Sequence, residues 1–166
     1  MKKILMISKF WKEYNRSGVG FCSSKHYEIL LGLGYEVSRI STESIFGLEG
    51  SLASRTFHVS VKGSGSLYSS VSIDKQLLAN IIKSVNPDIL LVEAWQTGIS
   101  EKAIELAHAQ QIPVVMISHG ISILPYDFSL RSILRFILWI PYAFITLPRI
   151  TSKLTAVTTL SKAGQT

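Results

Sequence analysis

The sequence predicts an α/β fold of the Rossmann-like kind, a parallel sheet with helices on both faces. Three observations predict it. Short β-branched runs alternate with longer amphipathic ones, the pattern of strands joined by crossover helices. The opening run, Lys3-Ile-Leu-Met-Ile-Ser8, is almost continuously apolar, as a strand covered on both faces must be. The chain of 166 residues is also 47% hydrophobic, enough for the core of one domain and too apolar for disorder.

The elements follow in order. After the first strand, Lys9 to Gly20 is polar and irregular. Phe21 to Leu33 reads as a helix, with Tyr27, Leu30 and Leu31 at near-helical spacing and Gly34 as its stop. Tyr35 to Ile40 is a second, less apolar strand, expected nearer an edge, and Thr56 to Val61 a third. Gly63 to Ser66 is a flexible loop. Ser72 is expected to N-cap a helix running to Val85, with Asp74 in its first turn. Asn86-Pro87-Asp88 ends that helix and feeds the strand Ile89 to Val92. Ile99 to Gln110 is a helix and Ile112 to Ile117 a strand ending at Ser118-His119-Gly120. A long apolar helical region covers Phe128 to Leu147, and Leu154 to Thr158 closes as the last strand.

Charge and cysteine content narrow the setting. One cysteine, Cys22, excludes an internal disulfide framework and suits a reducing compartment, and no secretory signal is expected, since the short apolar run Met1 to Ser8 is followed at once by Lys9, Lys12 and Glu13. The expected location is cytoplasmic. The net charge of +6 invites an anionic partner. The last acidic residue is Asp127, and Arg131, Arg135, Arg149, Lys153 and Lys162 follow without a balancing carboxylate. That stretch is the most apolar in the chain, which favours a membrane surface or a partner domain over nucleic acid.

Sheets of this kind bind ligands beyond the carboxyl ends of their strands, where strand order reverses. Three loops qualify: Lys9–Gly20, Glu93–Gly98 and Ser118–Asp127. Gly18 and Gly20 let a backbone approach a diphosphate at a helix N-terminus. Ser23 stands where a dinucleotide fingerprint wants its third glycine, and the first glycine comes some ten residues late, so classical NAD binding is not expected. His119 directly follows a buried strand and can bond a sugar hydroxyl or phosphate, or carry a proton. It is equally suited to tying the strand end to a neighbour. Glu93, Trp95 and Tyr126 are candidate acceptor contacts, Trp95 as a platform for a sugar ring or as core edging. His26, His58 and His108 show no ligand spacing with Cys22 or with any carboxylate pair, so no metal site is expected.

Several phrases in order resemble the N-terminal domain of the family-4 group of retaining glycosyltransferases, which have the GT-B fold. They are Met1 to Ser8, Gly18-Val-Gly20, Glu28 to Val37, Asn86 to Val92, Pro113 to Gly120 and Leu154 to Lys162, and they cover nearly the whole chain. The resemblance implies two facing Rossmann-like domains, with this chain the acceptor-side half of the GT-B fold over residues 1–166. It implies a C-terminal donor-binding domain that these residues do not include, expected beyond Thr166. It also implies transfer with retention and usually without a metal or other cofactor, the nucleotide-sugar being the donor substrate. By position Gly18 and Gly20 match the loop lying against the donor diphosphate and acceptor, and His119, the candidate catalytic residue, a histidine that touches the donor sugar. The family's proline pair before the glycines is replaced here by Trp11-Lys-Glu-Tyr14.

The function expected is therefore transfer of a sugar from a nucleotide-sugar to a saccharide or lipid-linked acceptor of the cell envelope, with this half inactive alone. Two alternatives stand beside it: a non-catalytic module binding a phosphorylated ligand, and a membrane-associated subunit of a split transferase. Phe128 to Ile150 is expected to dock on the inner, anionic face of the cytoplasmic membrane without spanning it. Its uncharged run, Phe136 to Pro148, is shorter than the roughly 20 residues a spanning helix needs.

Overall fold

The computed structural model describes residues 1–9, 11, 18–42, 55–62, 72–95, 97–119 and 129–159, without the side chains of Lys62, Ser72, Arg131, Ser132 and Arg135. The strands are β1 (Lys3–Ile7), β2 (Glu36–Ser41), β3 (Thr56–His58), β4 (Val61–Lys62), β5 (Ser72–Ile73), β6 (Ile89–Glu93), β7 (Val114–Ser118) and β8 (Ala156–Thr159). The helices are α1 (Gly18–Gly32), α2 (Lys75–Val85), α3 (Ile99–Ala109), α4 (Leu130–Pro141) and α5 (Leu147–Thr151), the last two joined by a π-helical turn, Tyr142–Thr146.

Six strands form one parallel sheet in the order β3-β2-β1-β6-β7-β8. Ile4 pairs with Ile89 and Val92 with Met116, both in parallel register. The order grows outward in both directions from β1 and β6, so the switch point lies between their carboxyl ends.

Strand alternation divides the core in two. Leu5, Ile7, Ile40, Leu90, Val92, Val114 and Met116 pack with α2 and α3 on one face. Ile4, Met6 and Val37 pack with Tyr27, Leu30 and Leu31 of α1 on the other. Trp11, which stands within the stretch that replaces the resembled family's proline pair, is fully buried on this second face. Its indole N–H donates to the Ile40 carbonyl at 3.1 Å, and the Arg39 guanidinium lies 4.6 Å from its ring centroid.

Several element boundaries differ from the sequence expectation for local reasons. Asp74, not Ser72, is the N-cap of α2: its carboxylate accepts from the Leu77 backbone N–H at 2.8 Å. Ser72 instead pairs with Lys62 in a small antiparallel sheet of β4 and β5. The expected strand from Thr56 to Val61 divides, because Val59 turns into the core and Val61 joins that second sheet. The loop expected at Gly63–Ser66 lies outside the described residues. β2 lies one strand in from the edge, which β3 occupies. The helix expected from Phe128 to Leu147 begins at Leu130 and changes winding after Pro141. Proline withholds a backbone N–H, and the wider turn re-engages the ladder, with Leu147 N–H donating to the Tyr142 carbonyl.

Candidate functional site

Above the switch point, β1, β6, β7 and α1 each contribute a polar side chain to one buried cluster. Glu93, at the end of β6, is fully buried at its centre. Its Oε2 accepts from the Ser23 hydroxyl at 2.6 Å, and its Oε1 lies 2.9 Å from His26 Nδ1. His119 Nε2, just past β7, lies 3.2 Å from Oε2. Ser8, just past β1, lies 2.9 Å from the Ser23 hydroxyl.

The local sequence explains the convergence. Gly20, Ser23, Ser24 and Tyr27 are the buried residues of α1, at the i, i+3, i+4, i+7 spacing of one helical face. That face is apolar toward the helix C-terminus and small and polar toward its N-terminus, where it overlies the carboxyl ends of the strands. A carboxylate there would ordinarily be penalised by burial, which raises its pKa. Hydrogen bonds from His119, Ser23 and His26, with an electrostatic contribution from the His26 ring, outweigh that burial and hold Glu93 below the usual carboxylate range. Glu93 is thus an anion at neutral pH.

Among the sequence candidates, His119 belongs to this cluster, with its side chain 8% exposed. Glu93 also belongs, but it is enclosed rather than open to an acceptor, and its lowered pKa suits it poorly to take up protons. Gly18 and Gly20 lie within α1 rather than in a loop, since the helix already includes Gly18, three residues before the expected Phe21. A Cβ at Gly18 would meet nothing within 4 Å among the described residues. Trp95 lies in the core on the α2/α3 face, and its indole N–H donates to the Ser118 hydroxyl at 2.8 Å. Tyr126 and Gly120, with nearly all of the Ser118–Asp127 loop, lie outside the described residues.

Sequence reasoning missed three members, Ser8 among them, which stood only as the end of the first strand. Ser23 drew notice only as a missing glycine, and His26 only as lacking ligand spacing. The signal that finds them is the polar half of the buried α1 face, set opposite a carboxylate at the end of a buried strand. Among the described residues no group of three His, Cys, Asp or Glu side chains is arranged to hold a metal ion.

A separate hollow of about 250 Å³ lies at the opposite, amino ends of the strands, lined by Ile4, Leu30, Ile89, Leu91 and Val115 among others. Its lining is mainly apolar, with Lys2 and Tyr35 also contributing.

No protein-family model and no curated protein matches the chain. Solved structures do. MurG from Acinetobacter baumannii superposes with a TM-score of 0.56 at 14% identity, over 96% of this chain and 41% of MurG. A protein described as a UDP-N-acetylglucosamine 2-epimerase from Listeria monocytogenes gives 0.56 at 15%, over 98% and 40%. An alpha-glucosyltransferase in complex with UDP and a 13-mer DNA gives 0.51 at 14%, over 95% and 37%.

The fold is the Rossmann-like half of the GT-B architecture. The chain spans about two fifths of the length of the structures it matches. A transferase and an epimerase sharing the fold show that the fold alone names no reaction.

Proposed function

We propose that this chain is the acceptor-side, N-terminal domain of a nucleotide-sugar-dependent glycosyltransferase acting on a saccharide or lipid-linked acceptor of the cell envelope. One observation carries the reading. In a half-GT-B fold, the switch point holds a histidine, His119, anchored by a buried anion beside the N-terminal half of α1. Imidazole nitrogens suit sugar hydroxyls, and the N–H groups of a helix start suit a diphosphate. The donor's nucleotide would be held chiefly by a second, C-terminal α/β half, and transfer would proceed with retention, as in the family the sequence resembles. His119 then touches the donor sugar, while Gly18, where an added Cβ would meet nothing within 4 Å, leaves room for the diphosphate.

A second feature favours membrane association. Leu130, Ile133, Leu134, Ile137 and Leu138 of α4, with Phe144 and Ile145 beyond it, are 39 to 77% exposed, while Trp139, Tyr142 and Ile150 face inward. No helix among the described residues is long and apolar enough to cross a membrane. An exposed apolar helix face in a segment with five basic and no acidic residues after Asp127 is what interfacial docking requires. Docking on the cytoplasmic face would bring the crevice to a lipid-linked acceptor.

The test is transfer of labelled sugar from UDP-sugars. Residues 1–166 alone should transfer none, because charge on the leaving diphosphate needs donors from both halves. Joined to a donor half encoded beyond Thr166, they should transfer sugar, and His119→Ala should remove about 2–4 kcal/mol of transition-state stabilisation. Robust turnover by residues 1–166 alone would overturn the two-half reading. A coding sequence without a second α/β half, and no response to sugar nucleotides, would assign the chain as a non-catalytic binding module.

A further inference from the structure

The hydrogen-bond directions in the switch-point cluster follow from one fact: an ionised carboxylate only accepts. Glu93 is the common acceptor, so Ser23, His26 and His119 must each donate to it. Ser23 has one hydroxyl proton, already committed to Oε2. Its oxygen is therefore the acceptor of the Ser8 hydroxyl at 2.9 Å. In a neutral imidazole one nitrogen carries the proton and the other a lone pair. His26 then has its proton on Nδ1 and its lone pair on Nε2, and His119 has its proton on Nε2 and its lone pair on Nδ1.

We infer that Glu93 is a positioning residue that locks His26 and His119 into complementary tautomers, so that both present their far nitrogens as acceptors of hydroxyl groups. The ligand class, a polyhydroxylated molecule such as the sugar of a donor or acceptor, rests on the function proposed above. His26 is the added member. Its side chain is 30% exposed against 8% for His119, so it has the more open ring of the two. The arrangement has a physical rationale. A hydroxyl donor is recognised by a fixed lone pair, and a carboxylate behind each ring fixes which nitrogen carries it, as when carboxylates orient metal-bound histidines. Enclosure in low dielectric strengthens every bond in the network, provided each member is satisfied.

The test is long-range proton–nitrogen NMR of the histidine rings in the 166-residue chain. It is run at about pH 9, above the ordinary imidazole range. His58→Gln and His108→Gln remove the other two rings from the spectrum. The expected result is an Nδ1-protonated His26 and an Nε2-protonated His119. In Glu93→Gln the side chain offers one acceptor and one amide donor, so one of the two rings should move its proton to the outward nitrogen. His26 protonated on Nε2 in the wild-type chain would overturn the inference, with no variant needed. So would a Glu93→Gln chain, folded by its amide spectrum, in which both rings keep their wild-type pattern. Titration with UDP-glucose, and with UDP as control, reports on the function separately. Shifts at both outward nitrogens with UDP-glucose alone support hydroxyl recognition. Tautomers as stated with no shift for UDP-glucose support the locking role and leave the transferase reading to the two-half transfer assay above.

Discussion

Glu93 and Trp95 stand two residues apart in the chain and face opposite sides of the sheet. In an extended strand, residues two apart share a face. Here Ala94, between them, has φ of 68°, in the left-handed region, while its N–H still donates to the Ile117 carbonyl at 3.1 Å. The twist sends Glu93 toward α1 and Trp95 into the core on the α2/α3 face. A strained non-glycine residue beside a buried carboxylate is what a functional strand end can contain, because the surrounding packing holds it there.

Ala94→Gly should relieve the side-chain clash of left-handed backbone and leave stability unchanged or raised by up to about 1 kcal/mol. Ala94→Val should lower it by about 1–2 kcal/mol, because a β-branched residue is poorly accommodated there. Urea denaturation of the pair checks this. Equal stabilities would mean that the backbone at this position relaxes.

Glu93 also sets a pH dependence. Its folded-state pKa is lowered, so the stability it contributes is complete above the unfolded-state carboxylate value. That contribution is lost as pH falls from the ordinary carboxylate range through the lower folded-state value. Glu93→Gln should therefore be less stable than wild type at neutral pH, and the gap should narrow on acidification. Thermal melts of both chains from neutral to acidic pH measure it, and a gap that widens with acid contradicts the assignment.

Trp95 is read as core. Trp95→Ala should cost about 3–5 kcal/mol through the cavity it leaves. Trp95→Phe, which loses the bond to Ser118 but keeps most of the ring volume, should cost about 1–2 kcal/mol. Two equally mild substitutions would return Trp95 to the surface of the crevice.

Asp74 caps α2 through its 2.8 Å bond to the Leu77 N–H. Asp74→Ala should cost about 1 kcal/mol, whereas Ser72→Ala should have little effect, because the Ser72 backbone pairing survives the change. Chemical denaturation distinguishes the two sites.

The exposed face of α4 predicts flotation with anionic vesicles. Binding should rise with anionic lipid and fall with salt, since the attraction of basic residues is screened. Ile137→Asp, at a position 52% exposed, should weaken binding without unfolding the chain, because the residue contributes little to the core. Absence of binding to anionic vesicles at low salt would assign this face to a protein partner instead.

The parallel α/β fold was legible from local pattern because its signals are short-range. The apolar runs at Ile4, Leu90 and Val115 must be sheet, Asn86-Pro87 must end a helix, and alternation of the two implies crossovers. The chain direction then places Glu93 and His119 at the carboxyl ends of their strands without any knowledge of packing. What the tertiary structure alone decided is which side chains meet there. The backbone twist at Ala94 separates Glu93 from Trp95, and no propensity of alanine announces it. The placement of α1 over the sheet aims Ser23 and His26 at a carboxylate 70 and 67 residues away in the chain. Sequence specifies each partner's face by periodicity, but the pairing of faces depends on where a helix lies over the sheet. That position is set by the whole core, by Tyr27, Leu30 and Leu31 against Ile4, Met6 and Val37, and not by the residues that do the chemistry.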